Sequence, residues 1–74
     1  MTKLALPTRN SLRLDEVSST LFYVGEAAFN QAETSPVWRI KRIQTVGSVM
    51  KLEWANGNDA FQNIWSDRAS LSYS

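Results

Sequence analysis

Hydrophobic and polar side chains alternate along the middle of this 74-residue chain, and this period of two predicts β-strands. A first strand is indicated at residues 21–24, where aromatic and β-branched side chains are followed by Gly25. A second is indicated at residues 37–43, where Trp38 and Ile40 share one face. The middle of the chain therefore favours a sheet rather than a helical bundle.

The second strand is followed by a hairpin signal. Its alternation slips by one position at Arg42 and Ile43, so we expect either a bulge or a twist there. Residues 44–48 suit a short hairpin connection in which Gly47 supplies a positive φ, and residues 49–54 alternate again. This pair of strands is the clearest structural prediction that the sequence offers.

The strand at residues 49–54 has one apolar and one charged face. Its charged face should pair with the preceding strand, with Glu53 opposite Arg39 or Lys41, a contact that contributes only a few tenths of a kcal/mol when exposed. The apolar face is expected to be buried, and it consists of Met50, Leu52 and Trp54.

The first twenty residues differ from this strand-like middle. They are rich in Ser, Thr and Asn, and Pro7 disfavours a regular start. Leu12 and Leu14 alternate with polar residues, which is enough for a short strand but not for a helix. We expect an extended N-terminal arm over residues 1–20 with one weak strand, the alternative being a frayed terminus.

Loop and helix signals flank the hairpin. Residues 26–35 are predicted to form a loop with some helical propensity, and Pro36 suits the entry to a strand. After a break at residues 56–59, helical spacing predicts a short helix that Asp59 can cap. The residues with this spacing are Phe61, Ile64, Trp65 and Arg68. Residues 69–73 alternate again and could add a last strand.

These patterns predict a single small, mainly β domain over residues 21–74, preceded by the arm over residues 1–20. The expected architecture is an antiparallel sheet, or a compact barrel or sandwich, of four to five strands with one short helix. The three tryptophans should supply much of the core because each can bury a large area. The predicted core consists of Phe22, Trp38, Ile40, Met50, Leu52, Trp54, Phe61, Ile64 and Trp65.

Composition disfavours several classes of function. The chain has neither Cys nor His, and so lacks the commonest general base, the commonest zinc ligand and any disulfide. A net charge of +1 does not by itself indicate a nucleic-acid or membrane partner. No apolar run approaches the ~20 residues of a membrane span, and the start does not resemble a signal peptide. We expect a soluble protein that is not an enzyme and has no catalytic residues, cofactor or metal.

Two surface features are candidate interfaces. One is the pair Leu12 and Leu14 in the arm, and the other is the basic cluster of Arg39, Lys41 and Arg42. Together with neighbouring aromatic side chains, the basic cluster resembles in outline the platform of proteins that bind single-stranded nucleic acid. Nearby glutamates dilute its charge, which favours an ordinary solvated strand face.

Three segments carry a more specific pattern: YVGEAA at 23–28, TSPVWRIKRI at 34–43 and WANGNDAFQNIWSDRASLSY at 54–73. They resemble short, mostly uncharacterised proteins encoded in the genomes of tailed bacteriophages. The resemblance covers residues 21–73 and leaves the first twenty residues unaligned. The sequence departs from the pattern at Asn56, where such proteins carry aspartate, and at Gln62 and Ser66.

The resemblance implies a structural component of a tailed-phage particle, such as a head decoration or a tail or fibre accessory, made in the host cytoplasm. The expected partners are other virion proteins or further copies of this chain, and neither a membrane nor nucleic acid is an expected partner. The alternative is a small β-barrel that binds single-stranded nucleic acid, whose affinity would fall steeply with salt.

Overall fold

The fold was established from a computed structural model, which describes residues 10–28 and 30–74. Within those residues the chain forms strands and one short 3-10 helix: β1 (Asn10–Ser18), β2 (Leu21–Ala28), β3 (Pro36–Val46), β4 (Val49–Trp54), β5 (Asn63–Ile64) and the 3-10 helix (Trp65–Ser70). The strands belong to one antiparallel sheet. The prediction of a mainly β fold with four to five strands and little helix is confirmed.

The sheet is a meander in which β1 to β4 each pair with their neighbours along the chain. β3 and β4 are joined by a two-residue turn, in which Gly47 has a φ of 63°. This turn pairs Val46 directly with Val49 and so fixes the register of the hairpin. The short β5 pairs with the first residues of β3, at Pro36 and Trp38.

Strand alternation gives the sheet an inner face, which the C-terminal segment covers. The fully buried side chains of Trp38 and Ile40 project from β3 onto this face, and Tyr23 and Ala27 join them from β2. Trp65 packs on the same face, with its ring centroid 5.9 Å from that of Trp38. The core therefore lies between one side of the meander and the segment that follows it.

Polar contacts hold the C-terminal segment against the sheet. Arg68 donates from Nε to the Asp15 carboxylate of β1 at 2.9 Å, and the Tyr73 hydroxyl donates to the Arg68 carbonyl at 2.7 Å. The backbone N–H of Trp54 donates to the Ser74 carbonyl at 3.0 Å. These contacts connect both edges of the sheet to the same covering segment.

Three predictions about the first three strands differ from the structure. The weak strand expected around Leu12 and Leu14 is present as β1, but it pairs with β2 from Asn10 to Ser18, with a register shift after Glu16, and so is part of the sheet; residues 1–9 of the predicted arm lie outside the described residues. β2 continues to Ala28, well into the predicted loop. The pairing of β3 runs through Arg42 and Ile43 without a shift, so the expected irregularity there is wrong.

The C-terminal segment also differs from prediction. The helix is a 3-10 helix that begins at Trp65, after Ile64 rather than Asp59, and no side chain caps it. The backbone at Asn56 and Gly57 has positive φ values of 57° and 70°, which makes a tight turn instead of a helix entry. The predicted last strand is reduced to one bridge between Ala55 and Tyr73.

Tyr73 gives the domain a dependence on alkaline pH. Burial, with Tyr23 nearby, raises the pKa of Tyr73 from 10.0 to about 12 despite the opposing effect of Arg42 and Arg68. The folded state holds the phenolic proton more tightly than the unfolded chain does. This contribution to stability is therefore complete below pH 10 and is lost as the pH rises towards 12.

Tyr73→Phe is expected to flatten the loss of stability between pH 10 and 12, at a cost of about 1 kcal/mol at neutral pH for the lost hydrogen bond to Arg68. Urea unfolding of both proteins at several pH values measures the effect. The other titrating groups are common to both proteins, so the difference between the two curves isolates Tyr73. Parallel curves from pH 8 to 12 would contradict the assignment.

Candidate functional site

The side of the sheet opposite the core is not covered by the 3-10 helix, and we call it the open face. Within the described residues it carries side chains from all four strands of the meander, together with one residue from the loop after β4. Its members are Leu12, Leu14, Glu16, Phe22, Val24, Glu26, Arg39, Lys41, Ile43, Thr45, Met50, Leu52, Trp54 and Phe61.

An apolar row crosses the centre of the open face. Phe22, Ile43 and Leu52 lie directly opposite one another on β2, β3 and β4. Leu52 is 52% exposed, and Met50 on the same strand is 72% exposed; Leu14, which is 70% exposed, lies on β1 beside Val24. Single exposed apolar residues are common on soluble proteins, but a contiguous group of this kind marks an interaction surface.

A charged and aromatic cluster lies beside the apolar row. Arg39 donates to the Glu26 carboxylate at 3.0 Å, and its guanidinium carbon lies 4.7 Å from the ring centroid of Phe61. The Lys41 Nζ lies 5.4 Å from the ring centroid of Trp54. No carboxylate among the described residues pairs with Lys41, so the cluster keeps one positive charge that is not neutralised.

The structure places four of the five predicted interface residues on this face: Leu12, Leu14, Arg39 and Lys41. Arg42 points to the inner side instead, because it follows Lys41 in a regular strand. There it donates to Glu53 at 2.6 Å and lies 4.9 Å from the ring centroid of Tyr73. The basic cluster predicted from the sequence is therefore split between the two sides of the sheet.

Part of the predicted core belongs to the open face as well. The structure buries Trp38, Ile40 and Trp65, whereas Met50, Leu52 and Phe61 are exposed. The remaining three predicted core residues, Phe22, Trp54 and Ile64, are only half-buried. Exposure of the β4 side chains follows from the register, which sets Leu52 opposite Ile43 and Trp54 opposite Lys41.

Sequence reasoning did not single out Val24 and Ile43, although both lie on the open face. The signal that locates this face is the length of the hairpin turn. A two-residue turn puts Val46 and Val49 on the same side, so Met50 must point to the other.

The described residues offer little support for other kinds of site. No three Asp, Glu, His or Cys side chains in residues 10–28 and 30–74 come close enough to hold a metal ion. The same part of the chain contains no helix that is both long and apolar enough to cross a membrane. Comparisons with protein-family models, with curated proteins and with solved structures find no match to this chain.

Proposed function

We propose that this protein is a structural interaction protein that binds another protein subunit through its open face, as a component of a tailed-phage particle. The observation that supports binding is the apolar row of Phe22, Ile43 and Leu52, which lies on the side of the sheet opposite the core and is not covered by the 3-10 helix. The resemblance of residues 21–73 to phage-encoded proteins supports the particle as the setting. Candidate positions are a head decoration or a tail or fibre accessory.

The energetic basis of such binding is the removal of apolar surface from water, at ~25 cal/mol per Å². Leu52 and Met50 are exposed on a rigid strand, so ordering them in an interface costs less than ordering side chains on a mobile loop. The ion pair and aromatic rings around Arg39 lie at the edge of the apolar row, where polar groups give an interface its orientation.

A platform for single-stranded nucleic acid is less well supported by the geometry. Such a platform needs unneutralised positive charge beside exposed aromatic rings. Arg39 is paired with Glu26, and Arg42 is paired with Glu53 on the other side of the sheet. Lys41 is left as the one positive charge on the open face that has no ion-pair partner among the described residues.

Leu52→Lys is expected to abolish incorporation into the particle without unfolding the domain, because it puts a charge in the centre of the apolar row. The matched control is Val46→Lys on the other side of the same hairpin, where the exposure is equal, at 52% for both residues. Mass spectrometry of purified particles, after infection with phages that carry each variant, measures incorporation. Thermal unfolding of each purified variant tests folding separately.

The proposal predicts that particles contain the wild-type protein and Val46→Lys but lack Leu52→Lys. Equal incorporation of the two variants, or absence of the wild-type protein from particles, would contradict it. Binding of the wild-type protein to single-stranded DNA at physiological salt, lost in Lys41→Gln, would instead favour the nucleic-acid platform.

A further inference from the structure

One acidic and one basic side chain of the open face lie directly opposite each other across its centre line. Glu26 lies on β2 and Arg39 lies opposite it on β3, so the line between these two strands separates one acidic position from one basic position. A two-fold axis parallel to the strands along this line would exchange the two positions. A surface that a two-fold axis makes complementary to itself is what an interface between identical subunits requires.

We infer that the open face binds a second copy of this chain, with the two sheets face to face and their strands aligned about that axis. This inference rests on the proposed function and names the partner. β2 of one copy then lies over β3 of the other, and β1 lies over β4. Two sheets packed in this way form a sandwich in which Phe22 of each copy lies over Ile43 of the other, while Glu16 of β1 lies over Leu52 of β4.

Charge complementarity follows from this superposition. Glu26 of each copy faces Arg39 of the other, so the ion pair within each chain becomes part of a group of four charges. Lys41 is the next residue of β3 on the same face, and its long side chain can reach the same carboxylate of the second copy. Lys41, which is unpaired within one chain, would then share this carboxylate with Arg39.

Shape complementarity follows as well. One end of the open face is aliphatic, with Leu12 and Leu14 on β1, and the other is aromatic, with Trp54 and Phe61. The axis sets the aliphatic end of each copy over the aromatic end of the other. Large side chains therefore meet smaller ones at both ends, as close packing requires.

The other two-fold axis in the plane of the face runs across the strands and gives a poorer match. It would lay β1 over β1 and bring Leu14 against Glu16 of the second copy. It would also set Arg39 over the end of β3 that carries Thr45, away from any carboxylate of the open face. Both axes set Glu16 against a leucine, Leu52 for the axis parallel to the strands, so the pairing of Glu26 with Arg39 is what selects that axis.

The area of the face is compatible with a dimer of moderate affinity. Four strands ~4.8 Å apart, each contributing about six residues at ~3.3 Å, give a flat area of about 400 Å². This is about half of the ~800 Å² per partner of a standard interface. We therefore expect a dimer that dissociates on dilution rather than an obligate one.

The test uses two charge variants of the full chain, Glu26→Lys and Arg39→Glu, in sedimentation velocity experiments. Each variant alone sets like charges against each other, and we expect its dimer dissociation constant to rise at least tenfold. In an equimolar mixture the two introduced side chains, a lysine on one chain and a glutamate on the other, face each other. The unchanged Arg39 of the first chain then faces the unchanged Glu26 of the second, so heterodimers should form at wild-type concentrations. This rescue cannot come from folding, because neither chain regains its own ion pair.

A wild-type protein that stays monomeric, or a mixture that associates no better than its components, would overturn the inference. If either charge variant fails to fold, Ile43→Lys and Val46→Lys replace them: Ile43 of each copy lies over Phe22 of the other, so the inference predicts a monomer for the first and a dimer for the second. The same state for both would overturn it. A monomer that is still incorporated into particles through its open face would overturn the dimer and leave the proposed function intact.

Discussion

Trp38→Ala is expected to unfold the domain or to leave it barely stable. Trp38 is fully buried, packs on Trp65 and donates from Nε1 to the Ala32 carbonyl at 2.9 Å. Truncation of a buried tryptophan costs ~3–5 kcal/mol, because the cavity does not close completely. Domains of this size rarely have more than ~3–5 kcal/mol of stability from their core, so the loss is comparable with the whole.

Trp54→Ala is the matched control, since the same atoms are removed from the open side of the sheet. Trp54 is only half-buried there, against Lys41 and Arg39, so the expected loss of stability in the monomer is much smaller. Urea unfolding followed by far-ultraviolet circular dichroism, at protein concentrations too low for association, gives both free energies of unfolding. Equal losses for the two variants would contradict the division into an inner and an open face.

Gly25→Ala is expected to be almost as damaging, although it adds only one methyl group. Gly25 lies under the rings of the core, and a Cβ there would contact Trp65 at Cε3, lie 2.6 Å from its Cζ3 and lie 3.3 Å from Cε3 of Trp38. Both rings are buried and rigid, so neither can move aside without disturbing the core. Overpacking of this kind costs ~1–3 kcal/mol and sometimes more.

Gly47→Ala is the control for Gly25→Ala, because it replaces a glycine that has a positive φ at a position where the added methyl group meets no neighbour. A Cβ at Gly47 meets nothing within 4 Å, and its positive φ alone predicts a cost of about 1 kcal/mol.

Trp65→Leu in the Gly25→Ala background provides a second check, because the smaller side chain relieves the clash. The double variant should be more stable than the sum of the two single losses predicts, and strict additivity would contradict the proposed contact.

Much of the sheet could be predicted from the sequence because its strands and turns have local causes. Alternation identified the strand that contains Trp38 and Ile40, and Gly47 marked the turn that follows it. Pro36 begins β3, as expected for a residue that cannot donate a hydrogen bond in the middle of a strand. Each of these signals lies within a few residues of the element that it specifies.

Which side of β4 is buried could not be read from its own alternation. Met50 and Leu52 form an apolar stripe whether they face the core or a partner, and the two cases have the same pattern. An irregularity was predicted at Arg42 where the strand is regular, because a charged residue on the core side of a strand resembles a break in the alternation. Its ion pair with Glu53, on the neighbouring strand, is what makes that position tolerable, and pairing of this kind depends on the register.

The C-terminal segment was the least predictable part because its conformation depends on distant contacts. Phe61, Ile64 and Trp65 have helical spacing, yet Trp65 packs against Gly25 while Phe61 lies against Arg39 on the other side of the sheet. A single helix cannot place side chains on both sides of a sheet. The chain instead turns at Asn56 and Gly57 and returns to pair with the start of β3 at residues 63–64, and tertiary packing overrides the local signal.

The order of the elements along the chain has a consequence for how the protein emerges from the ribosome. β1 to β4 pair with their sequence neighbours, so the meander can form as soon as β4 is released. Trp65 and Tyr73, which cover its inner side, are translated later. Until Trp65 and Tyr73 have docked, the sheet has both surfaces bare. During that interval Trp38 and Tyr23 are accessible to chaperones and to neighbouring nascent chains on the same polysome.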